Sequence, residues 1–146
     1  MAAQTFTHSA GFDGSVGDAW VAMQDADTWG SIGGVDGVSD AHHGPDGRLL
    51  SYSFSATVAG KRYPGRARVI TSQPPDHMVV EIDTSELAGT ISVWLRPEPT
   101  SGAITVELAV RSKGLLSGMM FPLISGAIGT GLGGNVEAFA SRLRPI

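Results

Sequence analysis

The sequence predicts an α+β fold in which a curved antiparallel β-sheet wraps around one long C-terminal α-helix, with short helices after the first strand. Three observations lead there. The stretch Leu115 to Leu143 carries apolar residues at every fourth position: Leu116, Met120, Ile124, Ile128, Leu132, Val136 and Ala140, with Phe139 and Leu143 closing the series. Residues three and four apart share one face of a helix, so the stripe is continuous. From Val35 to Ser112 the period changes to two, in short segments separated by turn signals. A sheet with one apolar face needs a cover, and the striped helix is the candidate the sequence offers.

The first strand is read over Gln4–Phe12, where Phe6, His8, Ala10 and Phe12 alternate with Thr5, Thr7 and Ser9. Ser15 precedes Asp18 at capping-box spacing, and Val16, Ala19, Trp20 and Met23 follow at helical intervals. A short helix over Val16–Gln24 is therefore expected. Asp27-Thr28-Trp29, followed by Gly30, Gly33 and Gly34, predicts a second brief helical turn ending in loop. Turn signals then recur at Gly44–Gly47, Gly60-Lys61, Gln73–Asp76, Leu87-Ala88-Gly89 and Pro97–Gly102.

Between those turns, Arg48–Ala59 places Leu50, Tyr52, Phe54, Ala56 and Val58 on one face, with Leu49, Ser51, Ser53, Ser55 and Thr57 opposite. Arg62–Ser72 sets Tyr63, Gly65, Ala67 and Val69 inward and Arg62, Arg66 and Arg68 outward. His77–Ser85 offers Met78, Val80 and Ile82; Thr90–Arg96 offers Ile91, Val93 and Leu95; Ala103–Ser112 offers Ile104, Val106, Leu108 and Val110. This is a meander of roughly six antiparallel strands, apolar on one face and polar on the other. The first strand can close the sheet beside the last. Small residues at inward positions, Ala56, Gly65 and Ala67, predict a cavity between sheet and helix.

The opposite face of the long helix is small: Ser117, Gly118, Ser125, Gly126, Gly129, Thr130, Gly133 and Gly134. Each interior Gly weakens a helix by ~1 kcal/mol relative to Ala, so tertiary packing must hold this element. We expect that face to meet solvent; the alternative is a close contact with a partner or a second copy.

At 146 residues the chain fits one domain, 1–146, able to bury roughly two thirds of its unfolded surface. It contains no Cys, which removes disulfides, thiolate zinc sites and thiol nucleophiles together. Its net charge is −4 and it has no basic run, which argues against nucleic acid or an anionic membrane surface as partner. The polar stretch Met1–Thr7 has no signal-peptide core, and a cytoplasmic location is the default. Leu115–Leu132 approaches the length of a membrane span. Against that reading, it holds Pro122 and many Gly and Ser, lacks flanking Trp or Tyr, and continues its stripe past Glu137 and Arg142.

The order of elements resembles the helix-grip fold of the START/Bet v 1-like superfamily, in its SRPBCC (polyketide cyclase/dehydrase-like) branch. Phe12-Asp13-Gly14-Ser15-Val16-Gly17-Asp18-Ala19-Trp20 resembles that family's lead from strand through a small or acidic cap into V-W, and Asp27-Thr28-Trp29 resembles its D-x-x-W element, one residue short. The resemblance covers the whole chain. It implies a pocket for an apolar small molecule, such as a lipid, quinone or polyketide-like compound. Some relatives bind or carry the ligand, and others cyclise and dehydrate polyketide chains.

Catalysis needs titratable groups that point into the cavity. The inward positions are almost all apolar, apart from His8, Tyr52, Tyr63 and Thr84. His8 is the candidate general base. Tyr52 and Tyr63, on adjacent strands, can hydrogen-bond a ligand oxygen. The expected lining is Tyr52, Phe54, Tyr63, Ala67, Val80, Ile82, Val93, Met120 and Ile124; the Met residues suit a surface that adapts to varied apolar ligands. His42 and His43 are consecutive and point to opposite sides of a strand, so no metal site is expected, and no cofactor. Arg62, Arg66 and Arg68 read as charge balance on an exposed face, with Glu81 or Asp83 as partners. The Gly-rich run Gly129–Gly134 lacks the preceding strand and Lys-Ser/Thr ending of a phosphate loop. A binder of a hydrophobic molecule, monomeric or weakly dimeric, is the leading expectation. A cyclase/dehydratase-like enzyme using His8 and a Tyr, and an interaction module using the Gly/Ser helix face, are the alternatives.

Overall fold

The computed structural model of the chain describes residues 3–33, 35–58, 60–74, 76–85, 87–97, 102–113 and 131–143. The chain enters through β1 (Ala3–Phe12) and passes two short helices, α1 (Val16–Ala22) and α2 (Ala26–Gly33). Six strands follow: β2 (Gly37–His43), β3 (Leu49–Val58), β4 (Lys61–Gln73), β5 (His77–Thr84), β6 (Leu87–Pro97) and β7 (Gly102–Ser112). The described part of a C-terminal helix, α3, covers 131–142. All seven strands form one antiparallel sheet in the order β1-β7-β6-β5-β4-β3-β2. The first strand does lie beside the last.

The sheet presents one apolar face inward. Leu132, Val136, Phe139 and Ala140 of α3 are buried in the same core as Ala10, Val93, Ile104 and Val106, and Leu143 packs at its edge. The helical stripe of the sequence is therefore the buried stripe wherever the helix is described. Its earlier members, including Met120, Ile124 and Ile128, lie outside the described residues, as does Gly126.

Two bulges reverse the expected alternation at one end of the sheet. His42 pairs with Ser51 but His43 pairs with Leu49, so β3 carries an extra residue at Leu50. An extra residue turns the next side chain to the other face. Leu49, expected outward, is 1 % exposed, while Leu50, expected inward, is 48 % exposed. In β4 a further register shift lies between Val69 and Thr71, and Ile70 there is exposed.

Glycines that read as turn or loop signals serve close approach instead. The chain turns earlier than Leu87-Ala88-Gly89 suggests: the Thr84 side chain accepts from the Leu87 amide at 2.9 Å, and these three residues open β6. A Cβ on Gly89 would fall on the Ala109 carbonyl oxygen and lie 3.0 Å from Val110 Cα, so only glycine fits this strand pair. The second helical turn extends to a full helix through Gly33 because Gly30 faces β2; a Cβ there would sit 2.7 Å from Val38 Cγ1. The first helix starts as read, with the Ser15 side chain accepting from the Asp18 amide at 3.0 Å, but ends at Ala22.

Just beyond α1, Gln24 closes one end of the inner face. Its side-chain oxygen accepts from the Leu49 amide at 3.1 Å, and its amide nitrogen reaches Trp20 O at 3.1 Å and Met78 Sδ at 3.3 Å. His43 turns under the sheet to donate to the Gln24 carbonyl at 2.8 Å, and the buried Trp29 indole donates to Met23 O at 2.7 Å. The α1–α2 corner is thereby bonded to β2, β3 and β5.

Candidate functional site

Register fixes which inward residues meet. Phe54 stands opposite Gly65, and Gly65 opposite Thr84. One row further, Tyr52 pairs with Ala67, Ala67 with Ile82, Ile82 with Gly89, and Gly89 with Val110. The next row runs Val69, Val80, Ile91, Leu108, Phe6, and the one beyond Met78, Val93, Val106, His8. Of the residues expected to line a ligand, Tyr52, Phe54, Ala67, Val80 and Val93 are buried, and Ile82 and Tyr63 are half-buried on the same face. Met120 and Ile124 lie outside the described residues. Phe6 and Val69 belong with this set as half-buried apolar residues. Phe6 was legible in the alternation of β1, as Val69 was in that of β4.

The space expected over Gly65 is filled. A Cβ on Gly65 would lie 2.7 and 2.9 Å from two ring carbons of Phe54, so the phenyl ring lies flat over the glycine. The small residues that remain unfilled by this ring are in the neighbouring row, at Ala67 and Gly89. Tyr52 stands at the β3 end of that row, opposite Ala67 and beside Phe54, with the two ring centroids 6.3 Å apart.

Tyr52 is 4 % exposed, yet its hydroxyl has no hydrogen-bond partner among the described residues, whereas Tyr63 has an interaction of its own. Burial alone pushes the Tyr52 phenol well above its ordinary value, since desolvation penalises the phenolate. At neutral pH it is a hydrogen-bond donor held in apolar surroundings. Among the described residues, the side-chain oxygen that is buried without a partner is the Ser72 hydroxyl, near Met78.

His8 projects from the inner face of β1 toward α3. Its Nε2 lies 3.1 Å from Glu137 Oε1, with the two side chains 34 % and 60 % exposed. Its Nδ1 edge faces Gly133, where a Cβ would approach to 3.2 Å. Gly133, expected to meet solvent, instead makes room for the imidazole; Gly134 beside it is exposed.

The outer face carries the charges. Arg68 pairs with Glu81 at 3.1 Å, Arg62 donates to the Ser55 hydroxyl, and Asp83 takes Lys113 at 2.8 Å rather than an arginine. Small serines of β3 leave a trough of about 470 Å³ there, walled by Asp40 and His42 on one side and Arg66 and Arg68 on the other. Asp40 adopts φ 52° within the β2 register shift. No group of three or more His, Asp or Glu among the described residues is placed to hold a metal ion. No helix among them is long and apolar enough to cross a membrane.

No family model and no curated protein matches the sequence. Solved structures do match in shape. The ZhuI aromatase/cyclase from Streptomyces sp. R1128 superposes with a TM-score of 0.70 at 9 % identity, over 95 % of this chain and 94 % of that one. A START superfamily protein from Mycobacterium smegmatis gives 0.62 at 13 % identity, over 88 % and 96 %. The major latex-like protein 151 of Panax ginseng gives 0.54 at 13 %, over 88 % and 96 %. Likeness at these identities speaks for the fold, and the chemistry rests on this chain's own residues.

Proposed function

We propose that this chain, which shares the helix-grip fold of START and Bet v 1-like proteins, binds a hydrophobic small molecule against the inner face of its sheet. One observation carries the reading: Tyr52, 4 % exposed, sets its phenol at the end of an inward row that continues through the minimal side chain of Ala67, the half-buried Ile82 and Gly89, and no hydrogen bond among the described residues uses that hydroxyl. A phenol in apolar surroundings can donate to a ligand oxygen. Pockets of this kind combine apolar walls with few polar groups.

The test fills the row. Ala67→Trp should abolish binding of an apolar dye while circular dichroism stays that of the parent. Unchanged dye affinity in the folded variant would remove the ligand from this row.

A second reading, a cyclase/dehydratase-like enzyme, draws on the His8–Glu137 pair, because a carboxylate that fixes one ring nitrogen leaves the other to exchange a proton. In that reading Nδ1 must reach substrate past Gly133. His8→Gln would then lower turnover by about 10²–10⁴-fold; equal rates in the two proteins would eliminate it.

A further inference from the structure

Resting on the binding reading, we infer that the inner face selects an uncharged ligand whose carbonyl oxygen accepts a hydrogen bond from Tyr52, and that it discriminates against carboxylates at that depth. Tyr52 provides a donor at the end of an apolar row, and no hydrogen bond among the described residues uses it. An acceptor brought by a ligand meets no rival there. A hydrocarbon of the same shape leaves the donor unsatisfied, and binding then gains nothing from it.

Charge is excluded by what surrounds the row. Arg62, Arg66, Arg68, Arg96 and Arg111 alternate onto the outer face, opposite the inward Tyr63, Ala67, Leu95 and Val110. Lys113 is bound at the end of β7 to Asp83 and to the Thr84 carbonyl at 2.9 Å. His8 is engaged by Glu137, itself an anion that repels a second one. From 114 to 136 the sequence contains no charged residue at all. A carboxylate placed beside Tyr52 would lose its hydration with no cation among the described inward residues to replace it, a loss that one phenol hydrogen bond does not offset. A neutral carbonyl loses far less and gains the hydrogen bond.

Three tricyclic probes of one shape separate the contributions: fluorenone, fluorene and fluorene-9-carboxylate, titrated against the parent and Tyr52→Phe at pH 7. The substitution removes one oxygen and keeps the ring, so the variant should fold. The parent should bind fluorenone about 3–10-fold more tightly than fluorene, the range of one net hydrogen bond. In Tyr52→Phe that preference should vanish while fluorene affinity stays the same. The carboxylate should bind the parent at least about tenfold more weakly than fluorenone. Equal affinity of the parent for fluorenone and fluorene, or a preference that survives Tyr52→Phe, would overturn the inference and leave the binding reading in place. A carboxylate bound as tightly as the ketone would overturn the charge discrimination. Failure of all three probes to bind would overturn both the inference and the binding reading.

Discussion

Gly65→Ala tests the packing of the inner face through a single methyl group. The added Cβ would stand 2.7 and 2.9 Å from Phe54 Cε2 and Cε1 and closer still to Cζ, well inside ordinary contact. The ring has to swing away, and forced rearrangement of a packed side chain costs ~1–3 kcal/mol. Replacing a strand glycine with alanine returns ~0.5–1 kcal/mol, because Gly loses more backbone freedom on folding. The net expectation is a loss of ~1–2 kcal/mol. Phe54→Ala alone should cost ~3–5 kcal/mol through the cavity it leaves. In the double variant the clash is gone, so Gly65→Ala should turn from destabilising to mildly stabilising, a coupling of ~1–3 kcal/mol between the two sites. Urea unfolding followed by fluorescence of the three tryptophans measures all four proteins. An equal cost for Gly65→Ala in both backgrounds, or none in the parent, would refute the account of this face.

Other expectations follow from particular contacts. Tyr52→Phe should be neutral or stabilising at pH 7, because it removes a hydroxyl that no hydrogen bond among the described residues uses and keeps the buried ring. The folded-state phenol is raised above its unfolded value, so its contribution is complete below about pH 10 and declines above it as the unfolded chain ionises first. Urea melts of the parent should therefore lose stability above about pH 10 with a slope up to ~1.4 kcal/mol per pH unit larger than in Tyr52→Phe; identical slopes contradict the burial of the phenol. Gly89→Ala should destabilise strongly or prevent folding, since the obstructing atoms are backbone, and a thermally unchanged variant would mean that β6 and β7 lie further apart. Gly133→Ala should add up to ~1 kcal/mol in a His8→Ala background and less in the parent, where the imidazole must yield; equal gains in both would separate His8 from the helix.

Periodicity in the sequence exposes much of this architecture. The apolar stripe ending in Leu132, Val136, Phe139 and Ala140 is buried, and the alternation of Tyr52, Phe54, Ala67, Val80 and Val93 puts them on one face. Errors arise where one residue is inserted. The bulge at Leu50 exchanges the roles of Leu49 and Leu50, and no side-chain preference announces it, because both are leucine. Glycine is ambiguous for a related reason: a turn and a close approach both require the missing Cβ. Gly30, Gly65, Gly89 and Gly133 all serve approach, to Val38, Phe54, the Ala109 carbonyl and His8. The partner of His8 was hidden because Glu137 lies 129 residues away, beyond any local pattern. The solitary hydroxyl of Tyr52 is equally invisible in sequence, being a property of what its neighbours lack.

The central claim is that an apolar molecule occupies the inner face rather than the outer one. Methyl-labelled protein titrated with fluorenone and followed by NMR tests it directly, because the sheet carries its own controls. Ala67, Val80, Ile82 and Val93 face inward, whereas Leu50 and Ile70 are exposed beside the bulges. The account predicts saturable shifts and ligand NOEs at the first four with Leu50 and Ile70 unmoved. Shifts confined to Leu50 and Ile70, or no saturable shift at any inward methyl, would contradict it.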